Sequence, residues 1–362
     1  MSSEVASDAL GAPVRVAVLG SGQMGSSVMG ILLAKHGIEP VAVVARRPER
    51  AGVDAGGLLE PPRSIGLPID TDLRAALNRA RPDLVIQTTC STLVDAEPEI
   101  TACLEHGCDV ISIAEELAWP WAGSPEWADR IDRLARDHGA TVLGTGVNPG
   151  FVLDLLVVAL TGVCIEVERV TATRVNDLAP YGPTVLRSQG VGLSPEAFVA
   201  AVEAGTVVGH VGFPESIGMI AAALGWEIDR VEQTREPIVS RSRRTTPFVT
   251  VGPGMVAGCL HTAVGYAGGR PVITLVHPQQ VRPEAEGVET GDTIEITGVP
   301  DVRLSGSPEI PGGIATAALA VNMIPRVRAA GPGLTSMAHL PVPAALPGGL
   351  RRSFEPVEVA DA

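Results

Sequence analysis

Glu115 and Glu116 follow the apolar run DVISIA (Asp109–Ala114), and these two carboxylates are the groups best suited to proton transfer. A carboxylate buried at a strand end can hold an ammonium group, and a raised pKa lets it exchange a proton with that group. On a surface turn the same dipeptide would do neither. Other chemistries are poorly supplied. Of the 27 Lys and Arg residues only Lys35 is a lysine, and it lies in LLAKHG, which reads as solvated surface. A mechanism needing a catalytic lysine therefore has almost nothing to use. The segment Asn148-Pro149-Gly150-Phe151 carries Phe where an NPGC sequence would offer a thiolate, so thioester chemistry is not expected. Cys90, Cys103, Cys108, Cys164 and Cys259 form no CxxC and no His/Cys cluster of zinc spacing. They read as reduced thiols, most of them buried, and no metal is expected.

A second group of residues points to a cofactor. Gly20-Ser21-Gly22-Gln23-Met24-Gly25 is a G-x-G-x-x-G between the apolar run VRVAVLG and a stretch of helical pattern. Small residues there let the backbone approach a pyrophosphate, and the helix N-terminus offers it free N–H groups. The next strand, VAVVA, ends without an acid and continues as Arg46-Arg47-Pro48-Glu49-Arg50. An acid at that tip reads the ribose hydroxyl of NAD, and an Arg accommodates the 2′-phosphate of NADP. Arg46 and Arg47 therefore predict NADP(H), with NAD as the alternative. Thr88, Thr89 and Ser91, after the strand DLVIQTT, complete the expected cofactor residues.

These residues need a sheet to position them. In the first half, short apolar runs alternate with helices expected at 23–36, 72–80 (capped by Asp70 or Thr71), 95–106 and, from Ser124 and Pro125, to His138. Strands separated in this way imply right-handed crossovers and a parallel sheet. After Gly150, strands rich in Thr and Val at 169–175, 247–251, 271–277 and 293–299 imply a mostly antiparallel sheet. A single helix is expected over 312–327. The fold class is thus α/β, a Rossmann-type domain followed by an α+β substrate domain. The expected division is a flexible tail 1–13, a nucleotide domain 14–150, a substrate domain 151–311, and a segment 312–362 returning to the first. The net charge of −14 argues against nucleic-acid or anionic-membrane partners. No apolar run reaches the roughly 20 residues of a membrane span. The polar, acidic start lacks the pattern of a secretory leader, so a cytoplasmic protein is expected.

Longer segments add a resemblance. AEELAWP (114–120), GTGVNPGFVLD (144–154), NDLAPYGPTVLRSQGVG (176–192), GHVGFPES (209–216), GPGMVAGC (252–259), HPQQ (277–280), VETGD (288–292) and PEIPGGIATAALAVNMIP (308–325) stand out. With them the chain resembles the 2,4-diaminopentanoate dehydrogenase family. More broadly it resembles NAD(P)-dependent amine dehydrogenases whose first domain is like dihydrodipicolinate reductase. The resemblance runs from the glycine fingerprint to the LPVP segment near Leu340. It implies oxidative deamination at C4 of 2,4-diaminopentanoate to 2-amino-4-oxopentanoate and ammonia. It also implies that a Glu of the EEL segment acts on the amine or imine, Glu115 first and Glu116 next.

Such a substrate also presents a carboxylate, which suits a guanidinium. Arg187 is the expected partner and Arg174 the next. Asn148, Phe151, Asp177, Tyr181 and His210 are expected pocket residues. Asn322 is expected to meet the nicotinamide carboxamide, and the chain to form a homodimer. Two alternatives stay open: an amine dehydrogenase or imine reductase for another amine, and a non-catalytic NADP-binding sensor.

Overall fold

Each short apolar run of the first half becomes a buried strand in the computed structural model, which describes residues 12–346. The chain proceeds through β1 (Val14–Leu19), α1 (Gln23–Leu33), β2 (Ile38–Val44), β3 (Ile69–Asp70), α2 (Leu73–Ala80), β4 (Leu84–Gln87), α3 (Leu93–Glu105), β5 (Asp109–Ser112), α4 (Pro125–Asp137) and β6 (Thr141–Gly144). It continues through α5 (Leu155–Thr161), β7 (Glu166–Asp177), α6 (Pro183–Ser188), α7 (Pro195–Glu203), α8 (Phe213–Leu224), β8 (Arg230–Val239), β9 (Arg244–Thr245), β10 (Thr250–Val251), β11 (Val256–Ala267), β12 (Arg270–Gln280), β13 (Gly291–Val299) and β14 (Val302–Gly306). α9 (Gly312–Asn322), α10 (Ile324–Ala329) and β15 (Gly333–Thr335) close it. The expected N-terminal tail lies almost wholly outside the described residues, as does the end of the segment 312–362.

Two compact units result. One joins the residues up to Gly146 with those from Gly312 onward; the other is Val147–Pro311. The first holds a seven-stranded sheet in the order β15-β6-β5-β4-β1-β2-β3, with every pair parallel. The order reverses between β1 and β4, the switch point where such sheets bind ligands beyond their carboxyl ends. Val85, Val110 and Val142 of its strands pack on Ile100, Cys103 and Leu104 of α3 and on Trp127 and Ile131 of α4. Lys35, just past α1, donates from Nζ to the carbonyls of Ala345 and Leu346 at 2.6 and 3.0 Å.

The second unit holds a six-stranded sheet in the order β14-β13-β7-β12-β11-β8. Its pairs are antiparallel except β7 with β12. Asp154 ties the start of this unit together. Its buried carboxylate accepts from the N–H of Gly150 at 2.6 Å, the N–H of Leu155 at 2.7 Å and the Ser216 hydroxyl at 2.9 Å. One side chain thus closes the turn after Pro149, caps α5 and fastens α8.

Several elements differ from expectation for identifiable reasons. Asp72, not Asp70 or Thr71, caps α2, accepting from the Ala75 N–H at 3.0 Å, while Asp70 pairs with Arg79. α3 begins at Leu93 because Thr92 caps it. Ser124 occupies the N-cap of α4 without a side-chain bond. Phe151 precedes its helix, which starts only after Asp154. The helix expected over 312–327 breaks at Met323, and Pro325 falls in the first turn of α10, where its missing N–H costs nothing. The strand expected at 247–251 shrinks to β10, paired only with β9.

Asp154→Ala should lower the unfolding free energy markedly, since each buried donor left unsatisfied costs about 1–3 kcal/mol. Asp154→Asn, which keeps one acceptor, should lose less. Urea unfolding of the three proteins checks this order, and equal midpoints would show that the carboxylate is not the fastening.

Candidate active site

The turn from β1 into α1 is shaped for a dinucleotide. Gly20 has φ +116°, and a Cβ there would lie 2.3 Å from the Thr88 hydroxyl. A Cβ on Gly25 would meet the Gly20 carbonyl at 1.9 Å. These two glycines are demanded by the chain's own packing. Gly22 is different: it is the N-cap of α1, is exposed, and a Cβ there would meet nothing within 4 Å. No side chain among the described residues caps this helix start, which is flanked by Ser21, Gln23 and Met24. That is the arrangement a pyrophosphate requires, and the residues fit the group.

The other expected cofactor residues fall in distinct places. Thr88 props the turn, donating to the Leu19 carbonyl at 2.7 Å. Thr89 donates to Glu99 of α3. Arg46, at the tip of β2, is ion-paired with Glu99 at 2.8 Å, and both it and Arg47 are exposed. Asn322 ends α9, the helix packed along α1, and its Oδ1 is buried without a hydrogen-bond partner among the described residues.

At the end of β5, the two carboxylates of the EEL segment separate. Glu116 accepts from the Leu93 N–H at 2.7 Å, at the first turn of α3, and its own N–H donates to the Ser91 carbonyl at 3.2 Å. Its charge therefore serves the helix N-terminus. Glu115 has no such anchor. Burial pushes its carboxyl up to about 7, with the Glu116 charge adding and a Ser91 hydrogen bond opposing. A carboxyl of that pKa can donate or accept a proton at neutral pH.

In the second unit, strand register assembles a polar row. Asp292 of β13 lies opposite Arg174 of β7. Thr173 pairs with Val276 and Asn176 with Gln279, which sets Arg174 beside His277 of β12. His277 faces His261 of β11, and His261 faces Arg235 of β8. Arg174 bonds Asp292 at 2.6 Å and also donates to the Ile310 carbonyl. His261 accepts the His210 N–H on Nδ1 at 2.9 Å, leaving Nε2–H to donate to Gln233 at 3.0 Å. The His210 and His277 rings meet edge to face at 4.9 Å. Burial pushes His210 and His261 down to about 3 and His277 well below its usual range, so all three are neutral.

Four buried atoms around this row have no hydrogen-bond partner among the described residues: Asn148 Oδ1, Asn176 Oδ1, His210 Nε2 and His277 Nε2. Asn148 Nδ2 lies 3.5 Å from His277 Nδ1. Buried polar atoms left open in this way call for a partner, either a ligand or an ordered water. Of these residues, Asn148 and His210 were expected in the pocket. Asn176 and His277 were not, although polar residues alternating along strands buried on that face (Arg174 with Asn176, His277 with Gln279) were a usable signal.

The remaining expected residues stand elsewhere. Asp177 Oδ1 accepts from the N–H groups of Ala179 and Arg282, each at 2.8 Å. Tyr181 packs against Leu178, Leu186 and Val251, and burial raises its hydroxyl pKa. Arg187 is exposed on α6, and Phe151 is half-buried in the turn before α5. Among the described residues no group of three or more His, Cys, Asp or Glu is placed to hold a metal, and no helix is long and apolar enough to cross a membrane.

A doubly wound sheet with this glycine turn, and a desolvated carboxylate at a neighbouring strand end, defines a nucleotide-dependent oxidoreductase. Comparison with known proteins makes this specific. Residues 151–356 match the model of the 2,4-diaminopentanoate dehydrogenase C-terminal domain, and residues 14–112 that of the dihydrodipicolinate reductase N-terminus. The chain is 44% identical to 2,4-diaminopentanoate dehydrogenase of Acetoanaerobium sticklandii, over 93% of its own length and 96% of that protein's. An amine dehydrogenase of Streptomyces virginiae is 24% identical, over 91% and 96% of the two chains. The structure of an amine dehydrogenase from Mycobacterium smegmatis superposes with a TM-score of 0.82 at 27% identity, covering 93% of this chain and 98% of that one. The chain belongs to the 2,4-diaminopentanoate dehydrogenase family.

The raised pKa of Glu115 couples proton uptake to folding. Its contribution is intact below the ordinary glutamate value of 4.5 and is lost as the pH rises to about 7. Glu115→Gln should therefore gain stability over the natural protein across that window, by about 1–3 kcal/mol, with a constant difference above it. Urea midpoints at pH 4.5, 6 and 8 measure this; a difference independent of pH would mean that the carboxyl is not desolvated.

Proposed function

We propose that this chain oxidatively deaminates 2,4-diaminopentanoate at C4, with NADP(H) as the favoured cofactor, releasing 2-amino-4-oxopentanoate and ammonia. The observation that carries the reading is Glu115, a carboxyl near pKa 7 at the strand end beside the glycine turn's switch point. The bound dinucleotide supplies the hydride acceptor. Glu115 takes the proton from the C4 ammonium, making the amine neutral and ready to release hydride from its carbon. Having passed that proton on, the same carboxylate deprotonates the water that adds to the iminium carbon. Ser91 holds the carboxyl in orientation.

The polar row of the second unit, taken by itself, has the chemistry to hold a carboxylate and an ammonium, the groups that an amino acid presents. With Nδ1 of His277 turned to the Asn148 amide, its Nε2 carries the proton and is a free donor, as a carboxylate needs. The open oxygens of Asn148 and Asn176 are acceptors, as an ammonium needs. Arg174, held by Asp292 and the Ile310 carbonyl, borders this row, and in this reading the exposed Arg187 is not the partner of the carboxylate. Arg46 and Arg47 support NADP. The chain is further taken to be a cytosolic homodimer; its five free cysteines agree with a reducing compartment.

Glu115→Gln should keep dinucleotide binding and lose about 10²–10⁴-fold in kcat, the usual loss for a positioned general base. The natural enzyme's rate should rise with pH through an ionisation near 7 that the variant lacks. Steady-state kinetics with NADP from pH 5 to 9 decides this, and a fully active variant would remove Glu115 from the chemistry.

Asn176→Leu and His277→Leu should each raise KM for the diamino acid about tenfold or more, a buried polar group left unpaired costing about 1–3 kcal/mol. Turnover of 2-aminobutane, which has no carboxylate, should suffer less. Arg187→Met should leave the ratio of the two specificity constants unchanged. A ratio altered only by Arg187→Met would return the carboxylate to α6.

A further inference from the structure

Glu99 of α3 has a carboxylate whose two oxygens serve different partners. Oε1 accepts from Arg46 Nε at 2.8 Å. Oε2 accepts from the Thr89 hydroxyl and from Gln87 Nε2, the latter at 3.0 Å. Arg46 Nη2 adds bonds to Thr89 Oγ1 at 3.3 Å and the Asp95 carbonyl at 3.1 Å. Gln87 is 1% exposed at the end of β4. Its amide oxygen accepts from the Ser112 hydroxyl, and that hydroxyl oxygen accepts the Ala114 N–H at 3.0 Å. The chain of bonds runs from Arg46 to Ala114, the residue before Glu115.

This is not an ordinary surface ion pair. Exposed pairs contribute little because both side chains are free to move and are screened. Here the Glu99 side chain is 15% exposed, against 51% for Arg46, and its second oxygen is gripped from behind by a buried amide. The carboxylate cannot swing away. The tip of β2 lacks its own acid, but α3 brings one to the arginine that stands there. The two charges that choose between a ribose hydroxyl and a 2′-phosphate are thus both present.

We propose that Glu99 sets the discrimination between the two dinucleotides. It holds Arg46 at the tip of β2 and offsets its charge, lowering the preference for a 2′-phosphate that Arg46 and Arg47 would otherwise produce. The proposal rests on the dinucleotide reading above. A carboxylate a few ångströms from a guanidinium near the surface alters that site's potential enough to change phosphate affinity about three- to tenfold.

Calorimetric titration of the full chain with NADP, NAD, adenosine 2′,5′-bisphosphate and 5′-AMP tests it without turnover. Glu99→Gln should tighten NADP and the bisphosphate about three- to tenfold and leave NAD and AMP unchanged. Arg46→Ala, at an exposed position, leaves the Glu99 charge unopposed and should weaken the same two ligands by about tenfold relative to the others. This variant keeps the proposal open to refutation even if Glu99→Gln loses its cooperative thermal transition. Equal weakening of all four ligands by Glu99→Gln would assign Glu99 a structural role and overturn the proposal, as would an unchanged NADP-to-NAD ratio in Arg46→Ala. A natural protein that binds none of the four would remove the cofactor reading itself, and this proposal with it.

Discussion

The bond from the Leu93 N–H to the Glu116 carboxylate fastens the short turn after β5 to the start of α3. With the Glu116 N–H on the Ser91 carbonyl, it forms a two-point latch between the loops that follow β4 and β5. A helix N-terminus stabilises an anion, and the Glu116 carboxylate lies against the first turn of α3. Its neighbour has no helix to meet and lies in a poorly solvated place, where burial above all, and the adjacent carboxylate to a lesser degree, disfavour its charged form. Glu115 resolves the conflict by taking up a proton near neutrality. Adjacent residues of one type thus do opposite work, because one has a helix to charge and the other does not.

The second unit reaches its polarity by a different route. There, register rather than a turn brings the groups together, and three histidines stay neutral because burial removes the alternative. Neutral rings cost less to bury than charged ones, and each still offers a directional donor. Asp154 and the Arg174–Asp292 pair hold the frame around them. The open nitrogens and oxygens of the row are tolerable in a folded protein only where something else is expected to meet them.

What was readable in the residues followed the range of the interaction. The glycine turn and β1, β2, β4, β5 and β6 of the first unit depend on neighbours a few positions away, and they stand where composition and period put them; β3 and β15 are too short to show a pattern and were not expected. Glu115 was reachable because it follows a strand directly. Helix starts were harder: Asp70, Thr71 and Asp72 are three plausible caps in a row, and only the pairing of Asp70 with Arg79 separates them. β8 was missed because its residues are largely exposed and charged, and its strand identity comes from β11. Arg174 and Arg187 look alike in sequence. One lies on the helix-covered face of a sheet and the other beside buried Leu186 on the outside of α6, a difference of facing that no local pattern displayed. The partner of Arg46 lies 53 positions away, beyond any local pattern.

Lys35 has a further meaning for a protein of this family. Its ammonium is engaged by two backbone carbonyls, and no other residue of the chain carries a primary amine in its side chain. A ketone released at the proposed site therefore meets almost no protein amine with which to condense. Besides the chain's α-amino group, adducts of the kind that slowly inactivate lysine-rich proteins in carbonyl solutions have one side-chain amine on which to form. The chain is in effect passivated against its own product, and any imine in its chemistry belongs to the substrate.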